Sequence, residues 1–540
     1  VPFGCHTPPV ELHLVIGMRD YVFLYINGSK HRVFGSQAFL TLSSYLRKDL
    51  QATGTKVVCE EGDCGACTVL VGRVLDGRMK YLPVNSCIQY LYQLDGTHVV
   101  SVEGLRLNGE LNCVQKAMVN NHGAQCGYCT PGFVVAMCGL FNDVTNGNGE
   151  ADASSAGDKN SAPGKSTVNT GTACDTTGSG GNDEKTACTN NLSQKDIRDA
   201  LTGNLCRCTG YEPIIRAAQE VALADVLPMA KLYVEKEMIE VLADESSGAI
   251  AIEADGRKYF NPQTLEQATE FKGGNPGCAI VQGGTDIAVQ GNKRNIIPQA
   301  VMSLSRLAQM EELKVEDNVL LVGGKVTLAR LEQFVQDLIP ELYDMLWVFG
   351  SPQIKNAGTL AGNIVNASPI ADTIPFLYVT DAELDLVGVT GARRVKVGSF
   401  YKGYKKLDLL ADEIVRQIRI PLPGGNEILK LYKVSKRKNL DISTFTAAFK
   451  MQLAQDKIDS ARIAYGGVAP TVLYLPKTEA YLAGKPFAEK TFVEAGLIAR
   501  GEITPISDVR GDAEYRFGLA ETILLKLFHE LQNKRELVCR

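Results

Sequence analysis

The sequence predicts a multidomain α+β protein, and three observations carry that expectation. Its 540 residues suffice for about three to four domains, each with its own core. Strand-like runs closed by glycine turns gather before residue 105 and again after Tyr259. Between them, residues 106–225 carry the apolar spacing of short helices. With 45% hydrophobic and 22% charged residues, the composition is that of an ordinary globular chain. A net charge of −5 with no basic block argues against nucleic-acid binding, and no apolar run reaches the length of a membrane span. Residues 1–19 lack a basic segment followed by an apolar core, so no signal peptide is expected.

Taken in order, Tyr21 to Gly28 reads as a strand running into an Asn-Gly hairpin turn, with His31 to Phe34 returning. Leu42 to Leu50 has helical apolar spacing. Next comes Cys59-Glu-Glu-Gly-Asp-Cys64-Gly-Ala-Cys67, with Cys87 after a gap. Three thiols on a loop with Gly62 and Gly65, plus a fourth from another segment, have the spacing of a plant-type [2Fe–2S] centre. The glycines let the backbone wrap closely and aim its amides at anionic sulfurs. Thr68 to Val71 and Tyr81 to Val84 flank a further glycine turn. Two hairpins, a helix and a cluster loop are consistent with a β-grasp ferredoxin domain over residues 20–105.

A second cysteine group, Cys126-Gly-Tyr-Cys129 and Cys206-Arg-Cys208, lies in the helical stretch. A C-x-C pair cannot share one face of a regular helix, so it needs a turn or a helix end, which again suits a cluster. On spacing alone, a zinc knuckle, a thioredoxin-like CxxC and buried free thiols stay open as alternatives. Helices are expected at Cys113 to Val119, Phe133 to Leu140, after an N-cap at Ser193, and from Pro213. Residues 142–191 form a Gly/Ser/Thr/Asn/Asp tract that reads as a disordered insertion. Within it Gly164-Lys-Ser-Thr167 resembles the end of a P-loop, but the preceding glycine is misplaced and no strand leads in. The other seven of the 15 cysteines (Cys5, Cys113, Cys138, Cys174, Cys188, Cys278 and Cys539) show no pairing logic, which points to a reducing compartment.

Cys59 to Cys87, followed by Gln125-Cys-Gly-Tyr-Cys-Thr-Pro-Gly132 and Gly203-Asn-Leu-Cys-Arg-Cys-Thr-Gly-Tyr211, resembles the two-cluster iron–sulfur region of the xanthine dehydrogenase family of molybdenum hydroxylases. The resemblance implies that Cys59, Cys64, Cys67 and Cys87 hold one [2Fe–2S] cluster and Cys126, Cys129, Cys206 and Cys208 a second, in an all-α domain over 106–225. After a linker, 226–257, two further segments resemble the family's FAD-binding loops: Gly283-Gly-Thr-Asp286, and Gly362-Asn-Ile-Val-Asn-Ala-Ser-Pro-Ile-Ala-Asp372. Converging glycine turns can present bare amides to a pyrophosphate without a Rossmann helix, and no G-x-G-x-x-G stands between a strand and a helix.

The resemblance then implies an FAD-binding domain of the PCMH type over 258–425 and a small α/β flavoprotein domain over 426–540. Gly283, Gly284, Thr285, Asp286 and Ile287 match the first FAD loop, and Thr359, Gly362, Asn363 and Ser368 the second. Asp372, Phe349, Val415 and Lys433 match positions about the flavin ring, with core packing the competing account of Phe349 and Val415. Ser435 to Asp441 stands where the family has a loop near the electron-acceptor side, with Leu440-Asp441 in place of two adjacent acids found in some members. Gln125 matches a contact to the molybdenum–pterin cofactor. Nothing in the chain could hold that cofactor, so no catalytic residue is expected here, and substrate hydroxylation falls to a molybdenum-binding large subunit, paired as a heterotetramer with two of each. The resemblance implies a cytoplasmic oxidoreductase of purine catabolism, passing electrons from molybdenum through two clusters to FAD and on to NAD. A hydroxylase for another N-heterocycle or aldehyde, a stand-alone NADH-dependent iron–sulfur flavoprotein, and a cofactor-free interaction protein are the competing readings.

Overall fold

Strand β1, Tyr21–Ile26, is apolar throughout and buried from Val22 onward, the pattern of a strand covered on both faces. A computed structural model, which describes residues 18–147 and 192–538, shows what covers it. β1 pairs antiparallel with β2, Ser29–Phe34, across Asn27 and Gly28, whose φ values of 49° and 81° suit a type I′ hairpin. β3, Thr68–Leu75, and β4, Arg78–Asn85, form the second hairpin, and β5, Thr97–Val100, joins the two in the order β2-β1-β5-β3-β4. Phe23, Tyr25, Leu70 and Val100 share a core with Val114, Phe133, Met137, Ile197 and Ile214 of the helical region. The alternate positions Val22, Leu24, Val69 and Val71 pack instead with Ile250, Tyr259, Val281 and Val301 of the following domain. One sheet thus joins three units, and each large side chain buried in it contributes about 1.5–3 kcal/mol.

The helical region comprises Cys113–Asn120, Thr130–Gly147, Gln194–Ala200 and Glu212–Glu220. Asn112 and Ser193 close capping boxes with Gln115 and Asp196, and Pro213 lies in the first turn of the last helix. The insertion expected over 142–191 starts later than the sequence suggests. Residues 142–147 continue the helix Thr130–Gly147, because Val144 prolongs its buried face and the Asn142 side chain accepts from the Met229 amide at 3.0 Å. The rest of that tract, including Cys174, Cys188 and Gly164 to Thr167, lies outside the described residues, as do Cys5 and Cys539. The run Leu42 to Leu50 also differs from expectation. One turn, Leu42–Ser44, widens into a π turn at Tyr45–Asp49, where the Leu50 amide donates back to the Tyr45 carbonyl.

The linker expected over 226–257, read with a helical piece, contains helix Glu235–Glu245 and strand Ile250–Ala254. Helix Glu235–Glu245 inserts Met238 and Leu242 into the core shared by the sheet and the helices. Ile250–Ala254 pairs with Arg257–Asn261 at the edge of a four-stranded sheet completed by Ala300–Met302 and Ala279–Ile280. A five-stranded sheet follows, in the order Leu313–Glu316, Val319–Gly323, Ile414–Pro421, Glu383–Gly388, Gly391–Lys396. The C-terminal unit sets three strands from Glu427–Val434 to Lys457–Gly466, with a short fourth at Leu473–Tyr474, against helices Pro476–Leu482, Glu489–Arg500 and Ala513–Val538. No helix among the described residues is long and apolar enough to cross a membrane.

His98, on β5, registers how completely the first sheet is covered. Its Nε2 accepts from the Gly28 amide at 3.2 Å, so the proton sits on Nδ1, which lies 2.7 Å from the Tyr81 hydroxyl. Burial pushes its pKa from 6.5 down to about 3. The neutral ring therefore contributes its full stability above pH 6.5, and that stability drains as pH falls toward 3, where the unfolded chain binds the proton and the folded chain does not. Urea unfolding of His98→Gln should show a flatter acid limb over that window, its dependence on pH reduced by on the order of 3 kcal/mol.

Candidate functional site

The first cysteine group is built from the loop after the π turn and the end of β4. Gly62 and Gly65 take φ of +79° and +67°, and the space a Cβ would fill at Gly65 lies 2.2 Å from the Gly203 carbonyl, so only glycine closes the loop. Cys67 and Cys87 are buried, and Cys59 and Cys64 half-buried. The Cys64 amide points at Cys59 Sγ from 3.4 Å, and the amides of Glu61, Ala66 and Cys87 point at Cys59, Cys64 and Cys67. The Cys64 thiol pulls Cys59 toward thiolate and that of Cys87 does the same for Cys67, while Cys64 and Cys87, which donate to Cys59, are raised. Asn85 Nδ2 holds the loop by donating to the Gly62 carbonyl at 2.7 Å.

The second group is assembled from two distant segments. Cys208 Sγ is 3.4 Å from Cys126 Sγ, and Cys206 is hydrogen-bonded to Cys129. The thiols thus pair across the gap of the insertion rather than within each short motif, which the C-x-C turn permits. The Tyr128 amide and the Cys208 thiol pull Cys126 toward thiolate. Thr209 supplies both its amide and its hydroxyl to Cys206, at 3.5 and 3.1 Å. The hydroxyl of Thr130, next to Cys129, is buried without a partner. Cys126 and Cys208 are exposed, and Gln125 lies on the same surface. Among the described residues no three Cys, His, Asp or Glu side chains gather to hold a single metal ion, whereas a [2Fe–2S] centre spreads four thiolates over two irons. Eight thiols in two sets of four, with amides aimed at sulfur, fit two such clusters.

The two glycine loops of the third unit meet. A Cβ at Gly283 would stand 2.2 Å from the Ala357 carbonyl oxygen and 2.9 Å from Gly358 Cα, and Gly284 has φ +71°. Gln282 Oε1, beside them, is buried and unpartnered. Asp286 and Ile287 open helix Ile287–Arg294, and Thr285 Oγ1 reaches toward Gly358. The second loop runs into helix Leu360–Asn366, whose cap is Thr359, accepting from the Gly362 amide at 3.0 Å. Asn363 Oδ1 accepts from the Thr373 hydroxyl at 2.6 Å, and Ser368 Oγ from the Ile370 amide at 3.4 Å. An abutting glycine pair with a stranded amide oxygen beside it fits a bound pyrophosphate-bearing cofactor such as FAD.

Asp372 and Lys433, matched separately to the flavin ring, prove to be partners. Lys433 Nζ donates to Asp372 Oδ2 at 2.7 Å and to the Val348 and Phe349 carbonyls at 3.2 and 3.5 Å, and the Ser443 hydroxyl donates to Asp372 Oδ1 at 2.6 Å. The side chains of Lys433 and Asp372 are only 5% and 7% exposed. Ser443 has no motif around it and went unread in the sequence. Lys433→Ala leaves a buried carboxylate unpaired and should destabilise the fold by about 3–5 kcal/mol in urea unfolding, against a smaller loss for the double change with Asp372→Ala. Val415, matched to the flavin ring with core packing as the competing account, is 5% exposed and belongs to the core cluster of the five-stranded sheet that also holds Leu360 and Ile364. Phe349 is half-buried against the same core.

The units are also tied at their functional edges. Asn292, on the helix that starts at Ile287, donates to the carbonyls of both Glu60 and Cys87 at 2.9 Å. Ile354 stands 3.0 Å from the position a Cβ would take at Gly62. Elements flanking the flavin-type loops therefore touch the first cysteine group directly.

Comparison with known proteins accords with this layout. Residues 101–219 match a [2Fe-2S] binding domain, 252–423 the FAD binding domain in molybdopterin dehydrogenase, and 430–531 the CO dehydrogenase flavoprotein C-terminal domain. Xanthine dehydrogenase 1 of Arabidopsis thaliana is 28% identical over 580 residues, covering 94% of this chain and 39% of the relative. Xanthine dehydrogenase of Blastobotrys adeninivorans is 28% identical, covering 97% and 42%. The chain spans about two fifths of the length of these curated relatives. Among solved structures, quinoline 2-oxidoreductase from Pseudomonas putida 86 overlaps half of this chain and 95% of its own, at 25% identity and a TM-score of 0.48.

Proposed function

We propose, from the premise that this chain belongs to the xanthine dehydrogenase family of molybdenum hydroxylases as its iron–sulfur and flavin portion, that it carries electrons from a molybdenum–pterin centre on a partner subunit to NAD. The observation that carries this reading is that the parts touch: the Cys64 carbonyl accepts from the Leu205 amide beside Cys206, and the Cys87 carbonyl accepts from Asn292 on the helix that follows the first glycine loop. When bound, iron–sulfur clusters supply one-electron storage and FAD couples it to hydride chemistry.

The chain's own residues do the rest. Cys126, Cys129, Cys206 and Cys208 hold the outer centre, and their exposure gives the molybdenum-bearing partner an approach with Gln125 at its rim. Cys59, Cys64, Cys67 and Cys87 hold the inner centre, with amides and burial keeping water from the sulfurs. Gly283 and Gly284 present bare backbone to the pyrophosphate, and the Asp372–Lys433–Ser443 network fixes the carboxylate beside the flavin ring. The substrate is taken as a purine such as xanthine, the assembly as two copies of each subunit, and the setting as the cytoplasm, whose reducing conditions preserve thiolates.

Anaerobically prepared protein should contain about four irons and one FAD per chain, and should co-purify with a molybdenum-containing subunit through which xanthine bleaches the flavin. A chain with clusters and flavin that no molybdenum partner can reduce, but that NADH reduces readily, would instead be a stand-alone carrier.

A further inference from the structure

Among the described residues one backbone hydrogen bond joins the two cysteine sets: the Leu205 amide donates to the Cys64 carbonyl at 3.0 Å. Cys64 belongs to the inner set, and Leu205 adjoins Cys206 of the outer one. From Cys64 Sγ to Cys206 Sγ the path is covalent except at that one contact. The neighbours on either side of it are clamped. Asn204, preceding Leu205, donates through Nδ2 to the carbonyl of Gly65, the residue after Cys64, at 3.0 Å and to Thr68 Oγ1 at 3.3 Å. Gln353, from the flavin-binding unit, donates through Nε2 to Asn204 Oδ1 at 2.9 Å and to Thr68 Oγ1 at 3.3 Å.

This polar knot is deeply buried, with Gln353 1%, Thr68 2% and Asn204 3% exposed. Gly65, Gly132 and Gly203 let the backbones close around it: added Cβ atoms at the first two would stand 2.2 Å from the Gly203 and Gly65 carbonyls, and one at Gly203 would overlap the Gln353 side chain. Apolar residues would fill such a junction without the desolvation cost of three polar side chains, one of which, Gln353 Oε1, has no partner. What the amides add is direction: Asn204 holds Gly65 and Gln353 holds Asn204, the residues next to the Leu205–Cys64 contact, and both are anchored on Thr68.

We propose that Gln353 and Asn204 are positioning residues that hold the Leu205 N–H to Cys64 C=O contact, and so set the spacing and electronic coupling between the two cysteine-held centres. The inference rests on the proposed function, in that both sets must carry clusters. With both clusters bound, one electron would cross at a time, oxidising the outer centre by one and reducing the inner by one, with no bond in the route made or broken.

The test uses the full chain with its clusters and flavin, as Gln353→Met and, since that residue touches three units at once, as the near-isosteric Thr68→Val. Iron and flavin are counted first. Electron paramagnetic resonance of the fully reduced protein then reads the magnetic splitting between the clusters, and pulse reduction reads the rate of transfer between them. With iron and flavin retained, the splitting should shrink and the transfer should slow together, because both depend on the spacing and path between the two centres, while Gly518→Ala, in open space on the last helix, leaves both at the wild-type value. A fully loaded Gln353→Met or Thr68→Val protein with wild-type splitting and rate would overturn the clamp. Wild-type protein lacking one cluster would instead overturn the proposed function.

Discussion

Gly283→Ala is expected to strip the flavin from the chain while leaving the iron in place. The added methyl would lie 2.2 Å from the Ala357 carbonyl oxygen and 2.6 Å from its carbon, both backbone atoms of the opposing loop. Neither can swing aside as a side-chain tip could, so the second loop must retreat, and it carries Thr359, whose hydroxyl caps the Gly362 amide. Overpacking of this kind costs about 1–3 kcal/mol, and because it separates the two surfaces that meet on one pyrophosphate, FAD affinity should fall by on the order of a hundredfold. Flavin retained through gel filtration reads the loss directly, with iron content as the internal control. Full flavin occupancy in the variant would show that these loops do not grip the cofactor.

Cys208→Ser should halve the iron and nothing else. Cys208 and Cys126 face each other at 3.4 Å on the exposed set, remote in burial from Cys67 and Cys87 of the sheltered one. A serine oxygen is a poor replacement for a thiolate on iron, so the outer cluster should be lost, iron should drop from about four to about two atoms per chain, and FAD should remain. Reduction by NADH should then still reach the inner cluster, whereas reduction from the molybdenum side should stop. Iron staying at the wild-type value, or falling to zero, would contradict the division of the cysteines into two independent sets.

Much of this arrangement was legible in the chain itself, for a local reason. The Asn27-Gly28 turn, the Ser193 capping box, Pro213 in a first helical turn and the Cys59 to Cys67 loop are all decided within a few residues, where backbone conformation and side-chain chemistry constrain each other directly. The misplaced expectations are those in which tertiary packing overrides composition. Residues 142–147 look like the polar tract that follows them, yet Asn142 and Val144 find buried partners and the helix goes on.

Taken alone, the sequence determined which chemistry the protein can support: eight cysteines in two spaced sets and two glycine loops, because ligand spacing and bare backbone are properties of short stretches. Only the tertiary structure decided how these parts are joined. Gln353, Asn292 and Ser443 carry no local signature, since each does its work on residues between 71 and 285 positions away. Contacts over such separations follow from one sheet covered on both faces, which brings the cysteine loops and the flavin-type loops into register only after the whole chain has packed.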